Sequence, residues 1–148
     1  MVSKDFEHTV HFFEIQDQTG SFFLPLVQVN LIGPQQNRIQ LSLIFDTGAD
    51  ITSLRSDLYP LLGLTAWDVG TRRTMTGASG SFDAYEYPAT LEVFGKIINC
   101  PIQLIPMAHN PVYHGLLGRN AIFQEFGFGF WESSHDLYVT LNPNTPVP

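Results

Sequence analysis

Cysteine is nearly missing from this chain. Cys100 is the one residue of its kind, so no intrachain disulfide can staple the fold. That fits a reducing compartment, and a cytoplasmic location is the expectation. Basic residues are scarce as well: seven Lys+Arg stand against 14 Asp+Glu, for a net charge of −7. Without a basic footprint, neither nucleic acid nor an anionic membrane is expected as the main partner. No apolar run approaches the roughly 18 residues of a spanning helix. The segment from Met1 to His8 contains no apolar signal region, so secretion is not expected either. Long stretches rich in Ala, Glu, Lys and Leu are also absent, which disfavours long helices. Charged residues make up only 14% of the chain, too few for a disordered one, so a packed core is expected.

What is abundant points to strands and turns. The chain has 12 Phe, 12 Gly and 10 Pro, a mixture that suits pleated sheet and tight connections. Its 148 residues suffice for one domain with a real core. Arg38 to Phe45 alternates cleanly, with Ile39, Leu41, Leu43 and Phe45 on one face. Such a period of two predicts a half-buried strand. Phe23, Val27, Val29 and Leu31 form a similar set, and the loop from Gly33 to Asn37 makes the two a hairpin. Further strands are expected at Thr90 to Val93, along Ile98, Cys100, Ile102 and Leu104, at Phe126 to Phe130, and at Leu137 to Leu141. A short helix capped by Ser56 should run to Leu62 and stop at Gly63, although Pro60 limits its regularity. Asn120 to Glu125 is a second helical candidate. Residues 142–148 hold three prolines and read as a poorly ordered tail.

One strand ends unusually. Phe45 runs into Asp46-Thr47-Gly48-Ala49-Asp50, so an apolar strand delivers a carboxylate followed by small residues. Small residues let another segment approach the backbone closely. Taken alone, Asp-Thr-Gly is equally compatible with a plain Asx-type turn. A second motif raises its weight: Leu116-Leu117-Gly118-Arg119-Asn120-Ala121-Ile122 lies far downstream. Between the two stands the glycine-rich Thr76-Gly77-Ala78-Ser79-Gly80-Ser81-Phe82.

With these three segments in this order, the chain resembles the retropepsin-like (retroviral-type) aspartic proteases over roughly residues 22 to 141. The resemblance implies an all-β domain: a closed β-barrel with one or two short helices, acting as a homodimer. It divides the chain into an N-terminal extension (1–21), the protease domain (22–141) and the tail (142–148). It also implies peptide-bond hydrolysis in an extended polypeptide substrate, with no cofactor. Aspartic chemistry needs two carboxylates sharing a proton, and the chain has one Asp-Thr-Gly. The resemblance therefore implies that Asp46 of a second copy supplies the other.

The remaining roles come from the same resemblance. Thr47 is expected to bond across the two active-site loops. Gly48 should offer its carbonyl to substrate beside Ala49, and Asp50 should pair with Arg119 and touch the substrate backbone. Gly77, Ala78, Ser79 and Gly80 should form the tip of a flap over the peptide. Some features depart from the pattern. Ile51 stands where some retroviral enzymes have a second aspartate, and Pro88 follows the flap candidate. Both chain ends are longer, so either the termini or the C-terminal hairpin could build the dimer sheet. Two other functions compete: a retropepsin-like module that binds peptide without cutting it, and a small barrel that holds an apolar ligand. The five histidines have no metal-binding spacing, and Cys100 reads as core.

Overall fold

Period-two segments of the sequence pair into sheets in the computed structural model, which describes residues 6–141. The chain begins with β1 (His8–His11), β2 (Phe13–Asp17) and β3 (Gly20–Leu24). The expected hairpin follows as β4 (Leu26–Ile32) and β5 (Arg38–Phe45). Next come β6 (Thr52–Arg55), a 3-10 helix (Ser56–Leu62), and the hairpin β7 (Thr71–Gly77) and β8 (Gly80–Tyr87). Then follow β9 (Thr90–Val93), β10 (Lys96–Asn99), β11 (Ile102–Ile105) and β12 (Gly115–Leu117). The described chain closes with β13 (Phe126–Trp131) and β14 (Asp136–Leu141). The tail expected at 142–148 and the first five residues of the extension lie outside the described residues.

The architecture is mostly β, as the composition suggests. One nine-stranded sheet has the order β10-β9-β4-β5-β12-β6-β11-β8-β7, and a three-stranded sheet runs β1-β14-β13. β2 and β3 pair as a separate ribbon. The expected closed barrel is not found among the described residues: the large sheet keeps two free edges, β10 and β7. Both edges carry residues that water accepts. Arg72 and Arg73 are exposed on β7, and Lys96 stands on β10, so neither edge is driven to close on the other.

Leu41, Leu43 and Phe45 of β5 pack with Val27, Val29 and Leu31 of β4 and with Leu54, Leu91, Leu104 and Leu117 in one core. The second predicted helix does not form. Ala121 takes a left-handed φ of 66°, which breaks helical continuity, and residues 119–125 close as turns through Phe123 N–H to Arg119 O (3.0 Å) and Glu125 N–H to Ile122 O (3.0 Å). The other predicted helix is present as the 3-10 segment. Arg55, not Ser56, sits at its N-cap, with no side-chain cap, and Gly63 ends it at φ 71°.

The ends of the described chain meet. β1 pairs with β14 from His8↔Val139 to His11↔Asp136, and His11 Nδ1 donates to Asp136 Oδ1 at 2.5 Å. The boundary expected between residues 21 and 22 falls inside β3.

Candidate active site

Asp46 owes its direction to strand alternation. Leu41, Leu43 and Phe45 point into the core, so Ile44 and Asp46 point away from it. The Asp46 N–H donates to Leu117 O (3.1 Å), which carries the β5–β12 ladder one step past Phe45↔Leu117. The chain then turns sharply. Asp46 Oδ1 accepts the Gly48 N–H at 2.9 Å, and Ala49 N–H donates to Asp46 O at 3.3 Å. A Cβ on residue 48 would sit 3.3 Å from Asp46 Oδ1, so glycine leaves the carboxylate room. Thr47 and Gly48 are exposed and Asp46 is half-buried.

Two crossing segments hold this turn. Arg119 N–H donates to Ala49 O (2.9 Å) and Asn120 N–H to Asp50 O (2.8 Å). The two sequence motifs therefore meet through main-chain bonds. Their side chains add less: the Arg119–Asp50 pair stands at 3.9 Å with both partners largely exposed, and such surface pairs contribute little. Gly118 fits between them because it has no side chain. A Cβ there would lie 2.7 Å from Ile51 O and from Thr52 N, and closer still to the Ile51 carbonyl carbon. The Gly118 N–H donates to the fully buried Thr52 hydroxyl at 3.0 Å. Thr52 is a supporting residue that sequence reasoning missed; its place just after the Asp46 loop was the available signal.

Cys100 sits behind this loop. Its Sγ lies 4.0 Å from Thr52 Oγ1 and 3.7 Å from Asn120 O, and burial pushes the thiol above its ordinary pKa. It is a core residue, as expected. A concave surface of about 620 Å³ opens beside the loop, lined by Asp50, Ile51, Arg119, Asn120, Phe123 and Gln124.

The glycine-rich segment forms a tight hairpin. Gly77 pairs with Gly80 across Ala78-Ser79, and Gly80 takes a φ of 118° that side chains rarely adopt. All four residues are exposed, and no hydrogen bond joins them to residues 46–50 among the described residues. β8 ends at Tyr87, so Pro88 falls past the ladder. The base of the hairpin is anchored by Tyr87. Its hydroxyl donates to Trp67 O (2.6 Å) and accepts from the N–H groups of Val69 (3.1 Å) and Gly70 (2.8 Å). Sequence reasoning missed this anchor, since a tyrosine on a strand carries no local sign of a distant loop partner.

Other polar contacts are structural. The buried Arg55 holds Asp57 on one side and the carbonyls of Asn110 (2.8 Å) and Tyr113 (3.1 Å) on the other. Its hydrogen bond draws the Asp57 carboxyl below the usual range. No group of three or more His, Cys, Asp or Glu side chains able to hold a metal is present among the described residues. No helix of the described residues is long and apolar enough to cross a membrane.

No model of a known protein family matches the sequence, and no curated protein matches it. Solved structures do match the fold. A retropepsin-like aspartic protease from Rickettsia conorii superposes with a TM-score of 0.59 at 18% identity, covering 90% of this chain and 98% of that one. EIAV protease complexed with the inhibitor HBY-793 gives 0.51 at 20% identity, over 68% of this chain and 86% of that one. The resemblance read from the Asp46 and Gly118 motifs is thus met by the backbone: the chain has the fold of the retropepsin-like aspartic proteases.

Proposed function

We propose that the chain is an aspartic endopeptidase, active as a homodimer with one Asp46 from each copy. The observation that carries this reading is the Asp46 turn. It is an outward-facing carboxylate at the end of a core strand, held by main-chain bonds with Leu117, Arg119 and Asn120, within a fold shared with aspartic proteases. Two such carboxylates about 3 Å apart would share one proton, because both cannot ionise together. The ionised group takes a proton from water, and the oxygen of that water attacks the scissile carbonyl. The protonated group meanwhile donates to the carbonyl oxygen. The apparent pKa values then belong to the pair and not to either residue.

In this reading Thr47 bonds across the two loops, while Gly48, Ala49 and Asp50 offer backbone and carboxylate groups to an extended peptide. The Gly77–Gly80 turn closes over the peptide as a flap and excludes water. Asp50 and Arg119 hold the loop against the downstream motif, chiefly through their main chains.

Incubating the purified chain with a diverse peptide library between about pH 4 and 7 tests the reading, across the range in which such dyads titrate. Cleavage products are expected from the wild type. Asp46→Asn should lower kcat/KM by at least about three orders of magnitude, because the dyad is the whole chemical machinery. Its circular dichroism and sedimentation should not change. Full activity in Asp46→Asn removes the mechanism. Peptide binding by the wild type without any product favours the non-cutting module instead.

A further inference from the structure

Gln103 is a buried side chain that the fold leaves half-paired. It is 3% exposed, and its Oε1 meets no donor among the described residues. A neighbour fixes which way the amide faces. The Ser53 hydroxyl has a single proton and gives it to Ile51 O at 3.2 Å, so it accepts from Gln103 Nε2, also at 3.2 Å. The amide therefore turns its nitrogen to Ser53 and keeps its oxygen for another partner. A buried acceptor in this state is costly to retain, and what it lacks is a donor.

Sheet register places that acceptor on the face to which Asp46 turns. Ile44, Leu116, Ser53, Gln103 and Glu86 stand opposite one another across neighbouring strands, so their side chains share one face. Ile44 lies two residues before Asp46 and points the same way. With strands about 4.8 Å apart, Ser53 lies about 10 Å and Gln103 about 14 Å across the sheet from Ile44. An extended peptide advances about 3.3 Å per residue, so one crossing from Asp46 reaches Gln103 within about four residues. The Gln103 amide is tethered by Ser53, and the torsion that carries it is soft, so a donor entering beside Ser53 can draw Oε1 toward it. Beyond Gln103, Arg73 Nε donates to Glu86 Oε2 at 3.3 Å on the same face.

These groups decide what a substrate side chain there can be. An apolar one leaves Oε1 unpaired. A carboxylate brings further acceptors to Oε1 and to Glu86. A cation supplies donors but meets Arg73. A neutral carboxamide suits both signs, since its NH2 donates to Gln103 Oε1 and its oxygen accepts from Arg73. We propose that Gln103, tethered by Ser53, selects substrates that carry asparagine or glutamine at one fixed position near the cut bond. The inference rests on the proposed protease reading and deepens it: one place in the groove reads a hydrogen bond and not an apolar surface.

Two measurements on the full chain with one diverse peptide library test this. The first sequences the products cut by the wild type. The second sequences the peptides retained by immobilised Asp46→Asn, which reads binding without cleavage. Asn and Gln should be enriched at least about fivefold at one position within about four residues of the cut. The retained peptides should show the same enrichment, and neither set should favour Leu, Asp or Lys there. Gln103→Leu, alone or combined with Asp46→Asn, should abolish the preference, because a site loses its discrimination with the group that makes the hydrogen bond. If Gln103→Leu fails to fold by circular dichroism, Ser53→Ala decides: the untethered amide should lower the enrichment at least about twofold. No enrichment of Asn and Gln, enrichment of Lys or Arg in their place, or a preference that survives Gln103→Leu overturns the proposal. The two readings separate. A chain that cuts nothing but retains carboxamide peptides through Gln103 keeps this selectivity and removes the protease. A chain that cuts without regard to carboxamides does the reverse.

Discussion

Replacing Gly118 with alanine asks whether the close crossing beneath Asp46 holds the fold. The added Cβ would lie 2.7 Å from Ile51 O and Thr52 N, well inside the roughly 3.5–4.0 Å of ordinary carbon contact. Both neighbours are main chain, so neither can rotate away. β12 must back off from the segment that joins the Asp46 turn to β6. Overpacking of this kind costs about 1–3 kcal/mol. The retreat also strains the Gly118 N–H to Thr52 Oγ1 bond, whose hydroxyl is fully buried. Leaving such a group unpaired costs about 1–3 kcal/mol more. The expected loss is therefore about 2–6 kcal/mol, or a fall in Tm of roughly 4–24 °C for a chain of this size.

Gly77→Ala is the matched control. There the Cβ meets only the Phe82 ring edge at 3.4 Å, and the change should stay within about 0.5 kcal/mol. Urea unfolding, followed by tryptophan fluorescence and circular dichroism at one fixed protein concentration, measures both. Fixing the concentration matters because association adds to apparent stability. A Gly118→Ala chain within about 0.5 kcal/mol of wild type would refute the reasoning, since an overpacked main-chain crossing cannot be that cheap.

Two further predictions follow from single residues. Gln103 is buried between β6 and β8; its amide donates to Ser53 Oγ at 3.2 Å, but its Oε1 has no partner. Gln103→Leu should raise stability by about 1 kcal/mol, because an unpaired buried acceptor costs that order, and a lower urea midpoint would contradict it. The Asp136 carboxyl is held below its usual pKa by the Ser134 hydroxyl and then by His11. Since its folded pKa is the depressed one, its stabilising effect is present above the ordinary carboxylate value and is lost as pH falls below about 4. Amide exchange in β1, corrected for intrinsic rates, should therefore quicken relative to β4 as pH drops from about 5 to about 3, the range in which an ordinary carboxylate gains its proton. No relative change, or the same change in Asp136→Asn, would count against this.

Most strands that were legible have a pattern that repeats over six or more residues, with the four-residue β9 (Thr90–Val93) as an exception. β4, β5 and β13 each show period two over a length at which chance alternation is rare, and the Gly63 stop needed only glycine's tolerance of positive φ. β6 and β12 were invisible because they are short and covered on both faces. Thr52-Ser53-Leu54-Arg55 is buried throughout, so nothing alternates. Ile98 to Leu104 looked like one apolar face, but Pro101 lacks the N–H a ladder needs, and the run divides into β10 and β11. β7 was hidden by its polarity, since an edge strand in water has no core face to display. At the site, the small residues after Asp46 announced a close approach. That its clamp consists of main-chain bonds from Arg119 and Asn120, with a buried threonine beneath, depends on pairings between distant segments.

The insertion of β12 between β5 and β6 also sets the order in which the molecule can be assembled. A chain emerging from the ribosome exposes Asp46 long before Leu117 and Gly118 exist. Until those residues arrive, the Asp46 amide and the Thr52 hydroxyl lack the partners that shape the turn. Parallel pairing between distant segments closes a large loop and belongs to the slow part of folding. The carboxylate turn is therefore among the last features to form, after nearly the whole domain has been synthesised. In the proposed protease, a chain that ends before Leu117 should therefore lack the contacts that shape the Asp46 turn, and with them the capacity to cut.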